Sequence, residues 1–321
     1  MARYLAGRLL QMVPLLVGIS FLLFFLLSLA PGDPVDMFIM SDPNVDARNI
    51  EALKHAYGLD QPMIVRYVKW LGRTVRGDLG WSLRFKQPVS QLIAERLPNT
   101  LALTMTGFLL ALMLAVPIGI YAALRQYSLT DYIVSFLSFL GFSVPLFWFG
   151  IVMIYIFAVK WRLVPPGGFQ TTGVAPGWPL VIDRLRYMLL PAAVVAFYTA
   201  ALLVRYVRSS MLEALRQDYI RTARSKGLRE RTVVNKHALR NALMPLVTIL
   251  SLAIPALFGG APVTETVFGW PGTGQLLVQS VLSGDHIVAM AMLMIIAVLV
   301  VAASLAADVA YAWLDPRIRY E

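Results

Sequence analysis

Long stretches without a charged side chain constrain this chain more than any other feature. Eight runs free of Asp, Glu, Lys and Arg reach or approach the roughly 20 residues that a helix needs to cross a bilayer. The runs 163–182 and 266–284 contain several Pro and Gly residues, which would leave backbone groups unpaired in lipid. The other six predict transmembrane helices over residues 9–32, 97–124, 132–159, 187–204, 241–264 and 286–307.

Composition agrees with a membrane protein. Asp, Glu, Lys and Arg make up 14% of the 321 residues, against roughly 25% in soluble domains. We therefore expect an all-α, polytopic membrane protein, with residues 1–321 forming one transmembrane domain. The absence of cysteine excludes disulfides, thiolate metal sites and cysteine nucleophiles.

Local signals suggest where some of these helices begin. Pro98-Asn99-Thr100 and Thr130-Asp131 place capping side chains at the expected starts of the second and third spans. The first span ends in Ser28-Leu29-Ala30, a small-x-small pattern that also fits a signal peptide. Its apolar run is longer than a signal peptide needs, so we favour a retained span.

The distribution of basic residues predicts the orientation. Because the number of spans is even, both termini lie on the same side of the membrane. If that side is the cytoplasm, the cytoplasmic segments hold fifteen Lys and Arg. The outer loop 160–186 holds four, while the loop 33–96 is too long to count. We therefore expect cytoplasmic termini, a cytoplasmic loop at 205–240, and a small extracytoplasmic element at 33–96.

Asp308 directly follows the charge-free run 286–307 and is the one acid that we place inside a membrane helix. An ionised carboxylate is expensive in hydrocarbon and is by default a candidate functional group. We favour a structural role, with a basic residue of the inner loop as its partner. Proton coupling is the functional alternative.

The inner loop 205–240 concentrates the positive charge of the chain. It carries ten Lys and Arg against three acidic residues, a net +7 of the chain's +10. Positive-inside topology and attraction to anionic membrane lipid account for this charge. Nucleic acid is not an expected partner, because the loop lacks the aromatic platforms and recognised folds of such proteins.

The order of residues in this loop predicts a short rigid rod. A helix ends at Gly227 with Lys226 in its last turn, and a second helix-like stretch covers Leu228 to Asn241. Gly227 is expected in a left-handed conformation. Such a rod could transmit force between a soluble partner and the spans. Its expected docking face includes Thr222, Ala223 and Ser225.

This loop also resembles a known family. The stretches Tyr219–Leu228 and His237–Pro245 are similar to the coupling loop of permease subunits in binding-protein-dependent ABC importers, in the dipeptide, oligopeptide and nickel branch. Thr222-Ala223-Arg224 replaces the Glu-Ala-Ala of the broader pattern, and Pro245 lies further from Gly227, as in the peptide branch. Further matches lie along the whole chain, at Ala30–Pro34, Tyr57–Pro62, Gly77–Gly80, Thr264–Phe268, Trp270–Gly272, Asp308–Tyr311 and Leu314–Tyr320.

The resemblance implies a type I ABC importer permease fold and half of a translocation pathway for peptides. It implies a second homologous permease subunit, two cytoplasmic ATPase subunits and an extracytoplasmic solute-binding protein as partners, in a bacterial or archaeal inner membrane. The coupling residues that it assigns are Asp218, Tyr219, Thr222, Ala223, Arg224, Ser225, Lys226 and Gly227. ATP and Mg would bind the partner ATPases, so no cofactor, metal or catalytic residue is expected in this chain.

Several alternatives remain. Related permeases carry nickel chelates, glutathione or oligosaccharides, and the residues that bind solute are not identified by any motif. A secondary transporter would need membrane charges beyond Asp308, and an intramembrane protease would need Ser143 and His286 to meet as nucleophile and base. The glycines of Gly269–Gly274 have the spacing of a phosphate loop, but Gln275 replaces the essential Lys.

Overall fold

The computed structural model describes residues 2–29, 60–82, 84–243 and 253–314. Its elements in chain order are α1 (Ala2–Leu29), α2 (Met63–Val75), β1 (Trp81–Ser82), β2 (Gln87–Pro88), α3 (Val89–Leu124), α4 (Leu129–Ser143), α5 (Leu146–Met153) with a π-helical continuation (Ile154–Lys160), α6 (Trp178–Leu215), α7 (Asp218–Ser225), α8 (Glu230–Thr232), a π-helical segment (Val233–Ala238), α9 (Leu239–Ala242), α10 (253–259), α11 (Pro262–Val267), α12 (Thr273–Leu282) and α13 (His286–Leu314). The predicted all-α class is confirmed. The two short strands form one antiparallel hairpin.

Four helices in the described residues are long and apolar enough to cross a membrane, at Leu10–Leu29, Val89–Leu124, Trp178–Leu215 and His286–Ala306. They correspond to the predicted first, second, fourth and sixth spans. The predicted fifth span, 241–264, includes residues 244–252, which lie outside the described part, so this span is not tested as a whole. Asp308 falls in α13, but its side chain also lies outside the described part.

The predicted third span is not one continuous helix. α4 ends at Ser143 and α5 begins at Leu146, with a bend of 104° between α4 and the segment Leu146–Lys160. Pro145 explains the break, because it lacks an N–H for the helical ladder and disfavours helical geometry at the preceding residue. The two helices together form either one broken span or a re-entrant segment.

The predicted start of the second span is wrong, whereas the predicted start of the third span lies within a few residues of the observed one. Pro98 to Thr100 lie inside α3, which begins at Val89 because its first turns pack into a core with Leu276 and Val288. The cap of α4 is Ser128, whose Oγ accepts a hydrogen bond from the Asp131 N–H at 3.3 Å.

Chain contacts divide the protein into two compact units. The first comprises Met1–Asn99 with Gly272–Glu321, and the second comprises Thr100–Pro271. In the first unit, Phe24, Tyr67, Trp70 and Met290 form an apolar cluster that joins α1, α2 and α13. The Ser82 hydroxyl donates to the Asp285 carboxylate at 2.5 Å, which fixes the β hairpin to the start of α13. The predicted helical stretch 63–75 of the outer loop is thus confirmed, while Glu51–Tyr57 lies outside the described residues.

The second unit is built around α6, a helix of 38 residues. A Cβ on Gly107 or Gly119 of α3 would come within 2.8 Å of Val195 or Val207 side chains. The two glycines are twelve residues apart in α3, and the two valines that they meet are twelve residues apart in α6. The helices therefore run side by side in the same direction. Small residues permit this close approach, as is common between membrane helices.

Candidate functional site

The candidate site is the inner loop between α6 and residue 243, where the sequence predicted a helical rod. The structure contains this rod: α7 covers Asp218–Ser225, and a second helical stretch covers residues 230–242. Asp218 in the first turn and Arg224 in the last turn match the helix dipole. The prediction of two helices around Gly227 is therefore confirmed.

One face of α7 is buried in the core of the second unit. Ile220 is fully buried and Ala223 is 5% exposed, three residues apart on the same side of the helix. They pack in a cluster with Val207, Met211 and Ala214 of α6 and with Ala111, Ala115 and Ala123 of α3. This contact ties the rod to the two long helices.

The opposite face of α7 is exposed. It presents the exposed residues Asp218, Tyr219, Arg221, Thr222, Arg224, Ser225 and Lys226. Thr222 and Ser225 direct their hydroxyls to backbone carbonyls of their own helix, at 3.0 Å each. The surface therefore combines one aromatic ring with cations and small hydroxyl side chains.

The structure corrects one detail of the expected docking face. Thr222 and Ser225 are exposed, but Ala223 is not, because the helical period turns it toward the core together with Ile220. A charge introduced at Ala223 would be buried within this chain itself.

Gly227 ends α7 in a left-handed conformation, as predicted, with φ +72°. The N–H of Gly227 donates to the Arg224 carbonyl at 2.9 Å, and that of Leu228 donates to the Ala223 carbonyl at 3.4 Å. These two bonds form a Schellman motif, which satisfies the last carbonyls of the helix. No atom lies within 4 Å of a Cβ built at Gly227, so the turn is open to its surroundings.

An ion pair joins the two helices across this turn. The Arg224 guanidinium donates to both carboxylate oxygens of Glu230, at 2.6 and 3.2 Å. The hydrogen bond from Arg224 lowers the pKa of Glu230 below its ordinary value, with a smaller contribution from the positive charge itself. Both side chains are about half exposed, so the pair contributes little to the free energy of unfolding. Its main effect is to hold the two helices in a fixed relative orientation.

The second helix of the loop is π-helical at its centre, from Val233 to Ala238. Its i→i+5 hydrogen bonding brings Val233 and Ala238, five residues apart, onto the same buried face. Both join the core cluster that contains Ile220. π-helical turns are frequent at functional sites.

A buried ion pair next to this loop was not predicted from the sequence. Arg208 of α6 donates through Nε and Nη2 to the two carboxylate oxygens of Asp131, with Nη2–Oδ2 at 2.7 Å. Asp131 is 2% exposed and also accepts from the Tyr127 N–H at 3.0 Å. An acid at the edge of a membrane helix was the available signal, but Asp131 was interpreted as a helix cap and Arg208 as one of many loop charges.

Other candidate chemistry finds little support in the described residues. No group of three or more His, Cys, Asp or Glu side chains is arranged to hold a metal ion in that part of the chain. Ser143 is exposed at the end of α4. In the glycine turn after α11, Phe268 and Trp270 are each 2% exposed, so the turn fills space in its own unit.

Long apolar helices, a bent helical pair and a basic loop folded into two short helices define a polytopic α-helical membrane protein. Residues 115–320 match the family described as binding-protein-dependent transport system inner membrane component. Residues 1–104 match the N-terminal family of the same membrane components. The chain belongs to this family, and the resemblance inferred from its motifs is confirmed.

Relatives match over full length. The oligopeptide transport system permease protein AppB of Bacillus subtilis is 47% identical over 321 residues, covering 100% of both chains. The putative peptide permease protein BOV_A0351 of Brucella ovis is 43% identical over 99% of both. The dipeptide transport system permease protein DppB of Escherichia coli is 34% identical over 100% of both.

Proposed function

We propose that this chain is a permease subunit of an ATP-driven peptide importer and forms half of its translocation pathway. The observation that carries the proposal is the full-length match to relatives named as oligopeptide, peptide and dipeptide permeases. Family membership already makes the chain a membrane component of a system that depends on a binding protein. The proposal adds the peptide substrate, a second homologous permease and two ATPase subunits.

The exposed face of α7 is the surface where an ATPase subunit docks. Its buried face is fixed by Ile220 and Ala223, and the turn at Gly227 is closed by two backbone hydrogen bonds and the Arg224–Glu230 pair. A movement of the docked subunit would therefore be passed to α6 and α3 rather than absorbed by a flexible loop. ATP is bound and hydrolysed by the partner subunits, and this chain supplies no cofactor site.

Docking is tested by a matched pair of substitutions. Thr222→Trp places a large ring on the exposed face of α7, whereas Thr172→Trp places the same ring on an exposed turn between α5 and α6. We expect Thr222→Trp to reduce uptake of a labelled peptide and co-purification of the ATPases at least tenfold. The membrane level of the chain should stay near normal, and Thr172→Trp should have no effect.

Two results would contradict the docking assignment. One is unchanged uptake and ATPase association in Thr222→Trp. The other is an equal loss in both variants. Ala223→Glu is a poor test of docking, because it would bury a charge in the chain's own core and reduce folding.

Orientation is tested by cysteine labelling, which suits a chain without cysteine. We propose that both termini and α7 lie in the cytoplasm and that the segment 161–177 faces outward. An impermeant thiol reagent should label Thr172→Cys in intact cells and Ser225→Cys only after the membrane is opened. The reverse pattern would invert the proposed topology.

The substrate class is tested by competition. Uptake of a labelled tripeptide in cells that depend on this importer should be reduced by unlabelled di- and oligopeptides but not by a nickel chelate or an oligosaccharide. If the importer took up a labelled nickel chelate or oligosaccharide but no labelled tripeptide, the proposed peptide cargo would be wrong and the docking surface would be unaffected.

A further inference from the structure

An apolar groove lies between α3 and α4 on the surface of the second unit. The groove is open and shallow, with a volume of about 420 Å³. It is lined by Pro117, Ile118, Tyr121, Thr130, Ile133 and Val134. The helices that form it are both apolar and belong to candidate membrane segments, so the groove opens toward lipid rather than toward a folded core.

One end of this groove carries a cation and several tyrosines. Arg125 is exposed and rests over the Tyr121 ring, with its guanidinium carbon 5.1 Å from the ring centroid. It forms no ion pair in the part of the chain that the structure describes. Tyr127 and Tyr132 are also exposed nearby in sequence, at the ends of α3 and α4. Tyrosine and arginine at helix ends are typical of the interface between lipid and water.

The turn at this end is fixed in place. Tyr127 adopts a left-handed conformation at φ +65°, which is unfavourable for a side chain of its size. Its N–H donates to the Asp131 carboxylate, which Arg208 binds in turn. Ser128 and Thr130 share a hydrogen bond at 2.8 Å. The mouth of the groove is thus preorganised by the buried ion pair.

We propose that the groove binds an anionic phospholipid, with an acyl chain between α3 and α4 and the phosphate at Arg125. Complementary charge favours this occupant, because the walls are apolar and the exposed charge over Tyr121 is the basic Arg125. The nearby Asp131 carboxylate is neutralised by Arg208. Basic pockets between membrane helices on the cytoplasmic side bind anionic headgroups. Val134 lines the groove and also packs against the cluster that holds Ile220 and Ala223. The bound lipid therefore stabilises the apolar cluster against which α7 packs.

The test uses the intact importer, purified with all its subunits, and phosphatidylglycerol with a photoreactive acyl chain. Labelling should map to residues 117–134. Unlabelled phosphatidylglycerol should compete more strongly than phosphatidylcholine. Arg125→Gln should weaken phosphatidylglycerol binding roughly fivefold, the effect of one basic side chain near an anionic lipid.

Two further variants locate the site. Ile133→Trp fills the groove and should abolish labelling of residues 117–134, whereas Arg240→Gln removes an exposed cation of the second loop helix and should label like the wild type. Equal competition by phosphatidylcholine, or full labelling of Ile133→Trp, would overturn the proposal. Loss of the second permease subunit from the Ile133→Trp complex would also overturn it, since the groove would then be a subunit interface.

Discussion

Two glycine turns in the second unit have the same local design and opposite surroundings. The turn after α7, with Gly227 at φ +72°, and the turn after α11, with Gly269 at φ +62°, are called the inner and the outer turn after the sides that the proposed topology gives them. The inner turn is surrounded by exposed polar side chains and open space. At the outer turn, Phe268 and Trp270 are buried and the Phe268 carbonyl accepts from the Gly168 N–H at 2.7 Å.

The difference shows that a helix followed by a left-handed glycine specifies a chain reversal but not its use. The neighbouring residues decide the use: cations and hydroxyls leave the inner turn available to a partner, while aromatic rings anchor the outer turn in its own core. Substitutions at the outer turn should therefore affect folding, and those at the inner turn should affect coupling.

The largest effect is expected from a matched pair of aromatic truncations. Phe268→Ala removes a buried ring that packs with Leu190 and Val194, and should destabilise the protein by about 3–5 kcal/mol. Tyr219→Ala removes an exposed ring at the start of α7, the helix that leads into the inner turn, and should change stability by no more than about 0.5 kcal/mol. The temperature at which half of the chain in the purified importer becomes insoluble should fall clearly in Phe268→Ala and stay near the wild-type value in Tyr219→Ala. Similar losses in the two variants would abolish the contrast between the turns.

The second prediction concerns the glycine that contacts the outer turn. A Cβ on Gly167 would lie 2.6 Å from the Phe268 carbonyl oxygen, which is backbone and cannot rotate away. Gly167→Ala should therefore cost about 1–3 kcal/mol and lower the membrane level of the chain. Gly72→Ala, where a Cβ meets no atom within 4 Å, is the control and should keep the wild-type level. A wild-type membrane level of the Gly167→Ala chain would mean that the outer turn can move to accommodate the added Cβ.

The third prediction concerns Gly227. Its added side chain would meet no atom, so Gly227→Val introduces only backbone strain, of about 1–2 kcal/mol. We expect a near-normal membrane level, weaker ATPase co-purification and reduced peptide uptake. Gly227→Asn is the matched variant, because Asn tolerates the left-handed conformation, and it should retain most of the uptake. Equal uptake by Val and Asn variants would show that the turn geometry does not control coupling.

The smallest effect is expected at the ion pair across the inner turn. Arg224→Gln removes two hydrogen bonds to Glu230 on an exposed surface and should cost less than about 1 kcal/mol. Because Arg224 lowers the pKa of Glu230 in the folded chain, the contribution of the pair is fully present above the ordinary pKa of a glutamate. It is lost as pH falls through the lower folded value.

Thermal unfolding of wild type and Arg224→Gln between pH 3 and pH 7 measures this contribution. The difference between the two proteins should be constant at neutral pH and should disappear at the acidic end. A difference that grows toward acid would contradict the role of Glu230 as the titrating partner.

The sequence predicted features that depend on local chemistry. Apolar runs located four long helices, and the Lys-Gly pair located the end of α7 and the sign of φ at Gly227. Prolines and glycines correctly excluded the run 163–182 as a span, since residues 161–177 form no helix. These features are fixed by backbone and solvent physics within a few residues.

Features that depend on contacts between distant residues were missed. The partner of Asp131 lies 77 positions away, so the sequence suggested only a local capping role. The side of α7 that carries Ala223 was assigned by motif, whereas packing against α6 decides it. The start of α3 at Val89 likewise depends on apolar partners from α12 and α13.

α6 has a mechanical consequence beyond its length. Leu190 and Val194 pack with Phe268 near one end, and Val207, Met211 and Ala214 pack with Ile220 near the other. The helical hydrogen-bond ladder lacks one donor, at Pro191, and residues 192–215 form an uninterrupted rod of about 36 Å. If the end of α6 near α7 tilted, the helix would therefore bend at Pro191. A displacement of a few ångströms at α7 would then become a rotation of residues 192–215 about Pro191, beside the outer turn.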